Sequence, residues 1–121
     1  MGGADPDATA YLNGPVRHIA TTWSVAELQR QATPGFFKAT PRAEMVKMFR
    51  LFTRKLGPLR SWSIEDSARE TSVGTESYEV TRFDLKARFA KAPADVYIEI
   101  FKQAGSWKLG TLRVNSDAFL E

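Results

Sequence analysis

Residues 106–114 read Ser-Trp-Lys-Leu-Gly-Thr-Leu-Arg-Val, and their alternation changes phase half-way. Trp107 and Leu109 share one face of a strand, while Leu112 and Val114 share the other. One flat strand cannot send all four into a single core. Two registers resolve the conflict. If Ala104-Gly105 is a two-residue turn, Ile100 faces Leu109, and a bulge at Gly110-Thr111 returns Leu112 and Val114 to the face of Ile98 and Val96. Glycine suits such a bulge because it accepts dihedrals closed to other residues. If the bulge lies at Gly105 instead, the last strand is straight, and Tyr97, Phe101, Trp107 and Leu109 share an outer face. The bent strand is favoured because a neighbouring stretch slips in the same way. There Tyr78 and Val80 take one face, and Phe83, Leu85, Ala87 and Phe89 the other.

Working backwards, four strands are expected at about 59–72, 77–90, 94–103 and 106–116. Val96, Ile98 and Ile100 alternate with Asp95, Tyr97 and Glu99, the pattern of a sheet with one buried face. Two slips in two long strands predict bulges and a curved sheet.

The first half reads as three helices. Leu12, Val16, Ile19 and Trp23 form an amphipathic stripe, interrupted at Gly14-Pro15. Either a helix from about Asp5 kinks there, or the helix starts with Pro15 at its first position; the second reading is favoured. Ser24-Val25-Ala26-Glu27 fits a capping box, with Trp23 and Leu28 placed for a hydrophobic staple. Thr33-Pro34-Gly35 is expected to stop that helix. The third helix opens at Thr40-Pro41, buries Met45, Met48, Phe49, Phe52 and Leu56, and ends at Gly57-Pro58.

Composition limits function. The chain has 121 residues, 43% hydrophobic and 26% charged, and carries a net charge of +3. This is one domain, 1–121, with residues 1–10 expected to be flexible. The absence of cysteine excludes disulfides, thiolate zinc sites and a cysteine nucleophile. No apolar run is long enough to span a membrane. Met1-Gly2-Gly3-Ala4 has the look of an added start, so an exported location, periplasmic or secreted, is expected if a leader was removed.

Three helices followed by a long antiparallel meander look like the nuclear transport factor 2-like superfamily, with its cystatin-like fold. The hairpin FKQAGSWKLGTLRVNS (101–116) carries most of the resemblance. ATTWSVAELQRQATPGFF (20–37) resembles the tryptophan-then-short-helix region of such domains. LFTRKLGPLRSW (51–62) is similar to a group of uncharacterised, often exported bacterial members. The resemblance implies an α+β domain, a cone of curved sheet lidded by helices, and frequent sheet-to-sheet homodimers. Its members include isomerases, dehydratases, epoxide hydrolases and non-catalytic binding modules, so fold does not decide function.

Few residues carry chemistry. His18, the single histidine, falls about 160° from the apolar stripe and is expected to face solvent. No spaced metal-ligand set and no nucleotide-binding motif is present, so neither metal nor cofactor is expected. Asp84 and Glu99 lie within strand patterns where a carboxylate could act as a base, though alternation with core residues turns both toward water. Tyr78 and Tyr97 could donate to an oxyanion, as in pocket isomerases of the resembled superfamily. Trp23, Trp62, Phe83 and Trp107 belong to the core or line a ligand cavity. Together these eight residues form the expected pocket. Lys47, Arg50 and Arg54 share the back of the third helix; without interleaved aromatics they read as a solvated face, and no nucleic-acid partner is expected. The expected function is a non-catalytic module binding a small apolar ligand or another protein, dimeric through its sheet. A small-molecule enzyme with its active site in the cone is the alternative.

Overall fold

The computed structural model describes residues 6–72 and 78–120. Helices come first: α1 (Pro6–Tyr11), a π-helical turn (Leu12–Val16), α2 (Arg17–Thr22), α3 (Val25–Gln31), α4 (Pro34–Ala39) and α5 (Arg42–Lys55). Four antiparallel strands follow, β1 (Leu59–Ser72), β2 (Tyr78–Phe89), β3 (Pro93–Gln103) and β4 (Ser106–Asn115), paired in chain order. The expected start of the second strand at residue 77 lies outside the described residues, as do residues 1–5 of the expected flexible start. Residues 6–10 are helical, and Ala8 is fully buried.

The strands match the alternation, but the helices depart from it in two places. The first helix does not begin at Pro15. It runs from Pro6, and the backbone widens into the π turn where Pro15 has no N–H to donate. The stripe survives the widening, since Leu12, Val16 and Ile19 are all buried. Thr33-Pro34-Gly35 follows the end of α3 at Gln31, as expected of a stop, but it also starts an unexpected helix, α4, with Pro34 at the position where a missing N–H costs nothing. Among the described residues the helical layer thus has five α-helical segments rather than three helices.

The cap expected on α3 forms in part. Ser24 caps α3, its hydroxyl accepting from the Glu27 N–H at 3.1 Å. The carboxylate of Glu27 turns instead to Arg30 and Gln31, so only half of the capping box forms. Trp23 ends α2 in a left-handed conformation (φ 50°), unusual for a bulky residue. Packing holds it there: its Nε1 donates to the Gly57 carbonyl at 2.8 Å, and its ring meets Phe49, Phe52 and Phe89.

The phase change in the last strand is a bulge. Gln103 pairs with Ser106 across Ala104-Gly105, both at positive φ, as a tight right-twisting hairpin turn requires. Ile100 pairs with Leu109, and Glu99 pairs with Thr111, leaving Gly110 as the extra residue. Leu109 is fully buried, and Leu112 and Val114 pack against the same core. The need for glycine differs from the expected one. Gly110 does not have positive φ; the Phe101 ring lies over it, and a Cβ there would run into that ring.

The second expected bulge is absent. β2 and β3 pair without interruption from Glu79–Lys102 to Arg88–Pro93. The phase change in β2 is a change of residue type, with Thr81 taking a core position opposite Ile100 and Val80 facing the other way. The extra residues of the β1–β2 pair are Arg60 and Glu65, in β1. Bulges confined to the outer strands leave the central ladder regular. The sheet is accordingly neither closed nor strongly curled.

Candidate functional site

Helices pack on one face of the sheet, and the interior between them is filled. Leu12, Leu28, Phe83, Ile98, Ile100 and Leu109 are all 0% exposed. The opposite face lies open, and its side chains are exposed or half-buried apart from Val80.

The eight residues expected to share a pocket divide between these faces. Trp23 and Phe83 are core residues. Trp62 and Trp107 are half-buried on the helical side, in opposite edge strands. The Trp62 Nε1 donates to Asn13 Oδ1 in the π turn, and Trp107 stacks on Tyr11. Tyr78, Asp84, Tyr97 and Glu99 lie on the open face, where a direct hydrogen bond joins Tyr97 to Glu99. Tyr78 sits toward one end, its ring 6.3 Å from Phe101.

Glu99 organises the open face. Its Oε2 accepts from Arg82 Nε and from the Tyr97 hydroxyl, both at 2.8 Å, and its Oε1 accepts from Thr111 Oγ1 at 2.7 Å. Burial by itself would raise the Glu99 pKa. Hydrogen bonds from Thr111, Tyr97 and Arg82 outweigh it and hold the carboxyl below its usual 4.5. Burial and the bond to Glu99 push the Tyr97 hydroxyl the other way, above its usual value. Arg82 also reaches Glu70 at 3.3 Å, and the Arg113 guanidinium lies 5.8 Å from the centre of the Tyr97 ring.

Sequence reasoning missed Arg82, Thr111 and Arg113. Their signal was in the register. Without the bulge, Gly110 would face Glu99; with it, Thr111 takes that place and Arg113 faces Tyr97. The residue that restores the core phase on one face therefore completes a hydrogen-bond network on the other.

Chemically, this network is closed. A carboxylate with three donors and a lowered pKa is a poor proton acceptor, and a tyrosine already donating to it has no proton to offer an oxyanion. Beside it, a depression of about 330 Å³ is lined by Glu65, Asp84, Lys86, Asp95, Tyr97 and Arg113, among others. A larger one, about 790 Å³, lies at the β2–β3 end, away from Glu99, with Trp62, Arg88, Lys91 and Ser116 on its walls. Its size does not make it the better site, because the hydrogen-bonded network lies elsewhere. Among the described residues no group of three or more His, Asp or Glu could hold a metal ion, and His18 is exposed. No helix among them is long and apolar enough to cross a membrane. The chain matches no protein-family model, no curated protein and no solved structure.

Proposed function

We propose that this chain is a non-catalytic interaction module that presents the open face of its sheet to a protein partner. The observation that carries the reading is the division of the two faces. The helical side is filled by fully buried side chains, which leaves no space for an enclosed ligand beside Phe83 or Ile98. The ordered, charge-assisted network of Arg82, Tyr97, Glu99 and Thr111 lies on the side without a cover. Such pre-ordered polar groups reduce the side-chain entropy lost on binding. Helices leading into an antiparallel meander support membership of the nuclear transport factor 2-like superfamily as part of the same proposal. A small-molecule enzyme would need ionisable groups converging in a cavity with a proton free to move, and the bonding of Glu99 argues against that role.

A photo-crosslinking residue placed at Tyr97, with a control at Lys47 on the back of α5, tests the reading in cells expressing the protein. Protein adducts are expected at position 97 and not at 47. Equal adducts at both positions, or none at 97, would overturn it. Turnover abolished by Glu99→Gln would replace it with the enzyme reading.

A further inference from the structure

We propose that the larger depression, at the β2–β3 end of the sheet, is a second site that binds a small organic phosphomonoester, whatever the rest of the open face recognises. Strand pairing builds its floor: Ser61 on β1 stands opposite Arg88 on β2, and Ser63 stands opposite Lys86. The walls come from other places in the chain. The turn between β2 and β3 is fastened to the end of α5, with the Ala90 and Lys91 N–H groups donating to the Pro58 and Leu56 carbonyls at 2.9 and 2.8 Å. After β4, the Ser116 hydroxyl donates to the Pro93 carbonyl at 2.7 Å and accepts from the Ala118 N–H. Trp62 closes the β1 side, its Nε1 donating to Asn13 Oδ1 at 2.9 Å. A cavity whose walls are tied down in this way exists before its ligand arrives, which spares the cost of ordering it on binding.

The charge around this cavity selects an anion. Lys86, Arg88 and Lys91 line it, against Asp95 and Asp117. Lys86 and Asp95 neutralise each other at 2.7 Å. Lys91 donates one N–H to the Arg54 carbonyl at 3.0 Å and keeps its charge. Arg88 is exposed and has no hydrogen-bond or ion-pair partner among the described residues. Two further cations stand at the rim. Arg60 precedes Ser61 in β1, and Arg17 donates to the Arg60 carbonyl at 3.1 Å beside the Trp62 ring. Among the described residues, Arg17, Arg60, Arg88 and Lys91 thus lack a carboxylate partner, and Asp117 alone opposes them. An excess of one sign around a concave site concentrates ligands of the other sign there.

The donors suit a tetrahedral anion better than a flat one. Arg88 supplies a fork of N–H groups, Ser61 a hydroxyl beside it, and Lys91 an ammonium from the β2–β3 turn. A carboxylate offers two oxygens to these donors, whereas a phosphomonoester offers three, with a charge of about −1.5 to −2. The cavity, about 790 Å³, is far larger than a bare phosphate and has the size of a small-molecule site. Trp62, Ala92, Pro93 and Ala118 bound the remaining space and suit a compact apolar body. Asp117 limits the charge that can enter, which disfavours polyphosphates. A nucleic-acid backbone would need its cations strung along a track, and here they ring one cavity.

Titration of the full chain with phenyl phosphate, followed by amide NMR shifts, tests the assignment. Saturable shifts are expected around Ser61, Arg88, Lys91 and Ser116, with Glu99 and Thr111 unmoved. Arg88→Gln should weaken binding at least about tenfold, and Asp117→Asn should tighten it. Circular dichroism checks that both variants are folded. Inorganic phosphate should bind more weakly than the ester, and benzyl alcohol, which lacks the anion, should not bind. Vesicles containing phosphatidic acid distinguish the source. Co-sedimentation that Arg88→Gln abolishes places the phosphomonoester on a lipid headgroup; phenyl phosphate binding without co-sedimentation places it on a soluble molecule. Absence of saturable shifts would overturn the inference, as would binding unchanged by Arg88→Gln or inorganic phosphate binding as tightly as the ester. A short single-stranded oligonucleotide that displaces phenyl phosphate at a lower concentration would overturn it in favour of nucleic acid. Crosslinking at position 97 is independent of all these outcomes.

Discussion

The two faces of β3 share one backbone and solve different problems. Toward the helices, Val96, Ile98 and Ile100 lose essentially all contact with water. Their contribution is area removed from solvent plus close packing, roughly 1.5–3 kcal/mol per side chain. Toward the open side, Tyr97 and Glu99 stay partly wet and are ordered by hydrogen bonds. There each bond replaces one to water, and the net gain is about 1 kcal/mol or somewhat more where a charge is involved. The comparison teaches that order and stability are separable. The covered face holds the molecule together, whereas the open face is organised beyond what its stability requires.

The largest effect should come from breaking the covered face. Trp23→Ala removes a ring packed on Phe49, Phe52 and Phe89 and leaves the Gly57 carbonyl without its donor. A loss of about 3–5 kcal/mol is expected by chemical denaturation. An unchanged midpoint would show that the helical side is not the stabilising one.

Gly110 joins the two faces and comes next. Gly110→Val should cost about 1–3 kcal/mol, because its side chain would collide with the Phe101 ring on the open side. Adding Phe101→Ala in the same chain should recover part of that loss. If the single variant is neutral, Phe101 is not seated on the glycine as described.

A smaller effect is expected on the open face. Glu99→Gln weakens three charge-assisted bonds and should cost about 1–2 kcal/mol at neutral pH. Acid sharpens the test. The folded-state pKa of Glu99 is lowered, so its contribution is complete above the usual 4.5 and is lost as the pH falls through the lowered value. Wild type should lose more stability over that window than Glu99→Gln does. Parallel acid profiles would mean that the network does not stabilise the ionised form.

The smallest effect should lie on the outer surface of the helical layer. Phe49 and Phe52 are buried, while Lys47, Arg50 and Arg54 on the same helix are exposed. Reversing those three charges should change stability by no more than roughly 0.5 kcal/mol. A tight, salt-sensitive nucleic-acid complex lost on that reversal would contradict the solvated reading of this helix face.

Much of this architecture was legible in local chemistry. Strand limits followed from alternation and from turn residues, because side-chain period and glycine–proline punctuation are properties of short segments. The buried stripe of α5 and the Ser24 cap belong with these. The bulge at Gly110 was only half legible: a straight strand with Trp107 and Leu109 facing outward satisfied the same alternation, and the phase change in β2 that favoured the bend is not itself a bulge.

Other features are decided only when distant segments meet. Whether Pro15 starts a helix or sits inside one depends on Ala8 and Leu12 finding a core to enter, which the local sequence does not specify. The phase change in β2 mimics a bulge, and only the unbroken pairing with β3 shows that Thr81 has taken an apolar position. The open-face network is the fullest case. Arg82 lies 17 residues from Glu99 along the chain, and Thr111 lies 12. They meet because strand pairing sets them opposite each other. Period and punctuation determined which residues form strands and which face is apolar. Register across the sheet, a property of the assembled tertiary structure, decided which charges meet and therefore what the open face can recognise.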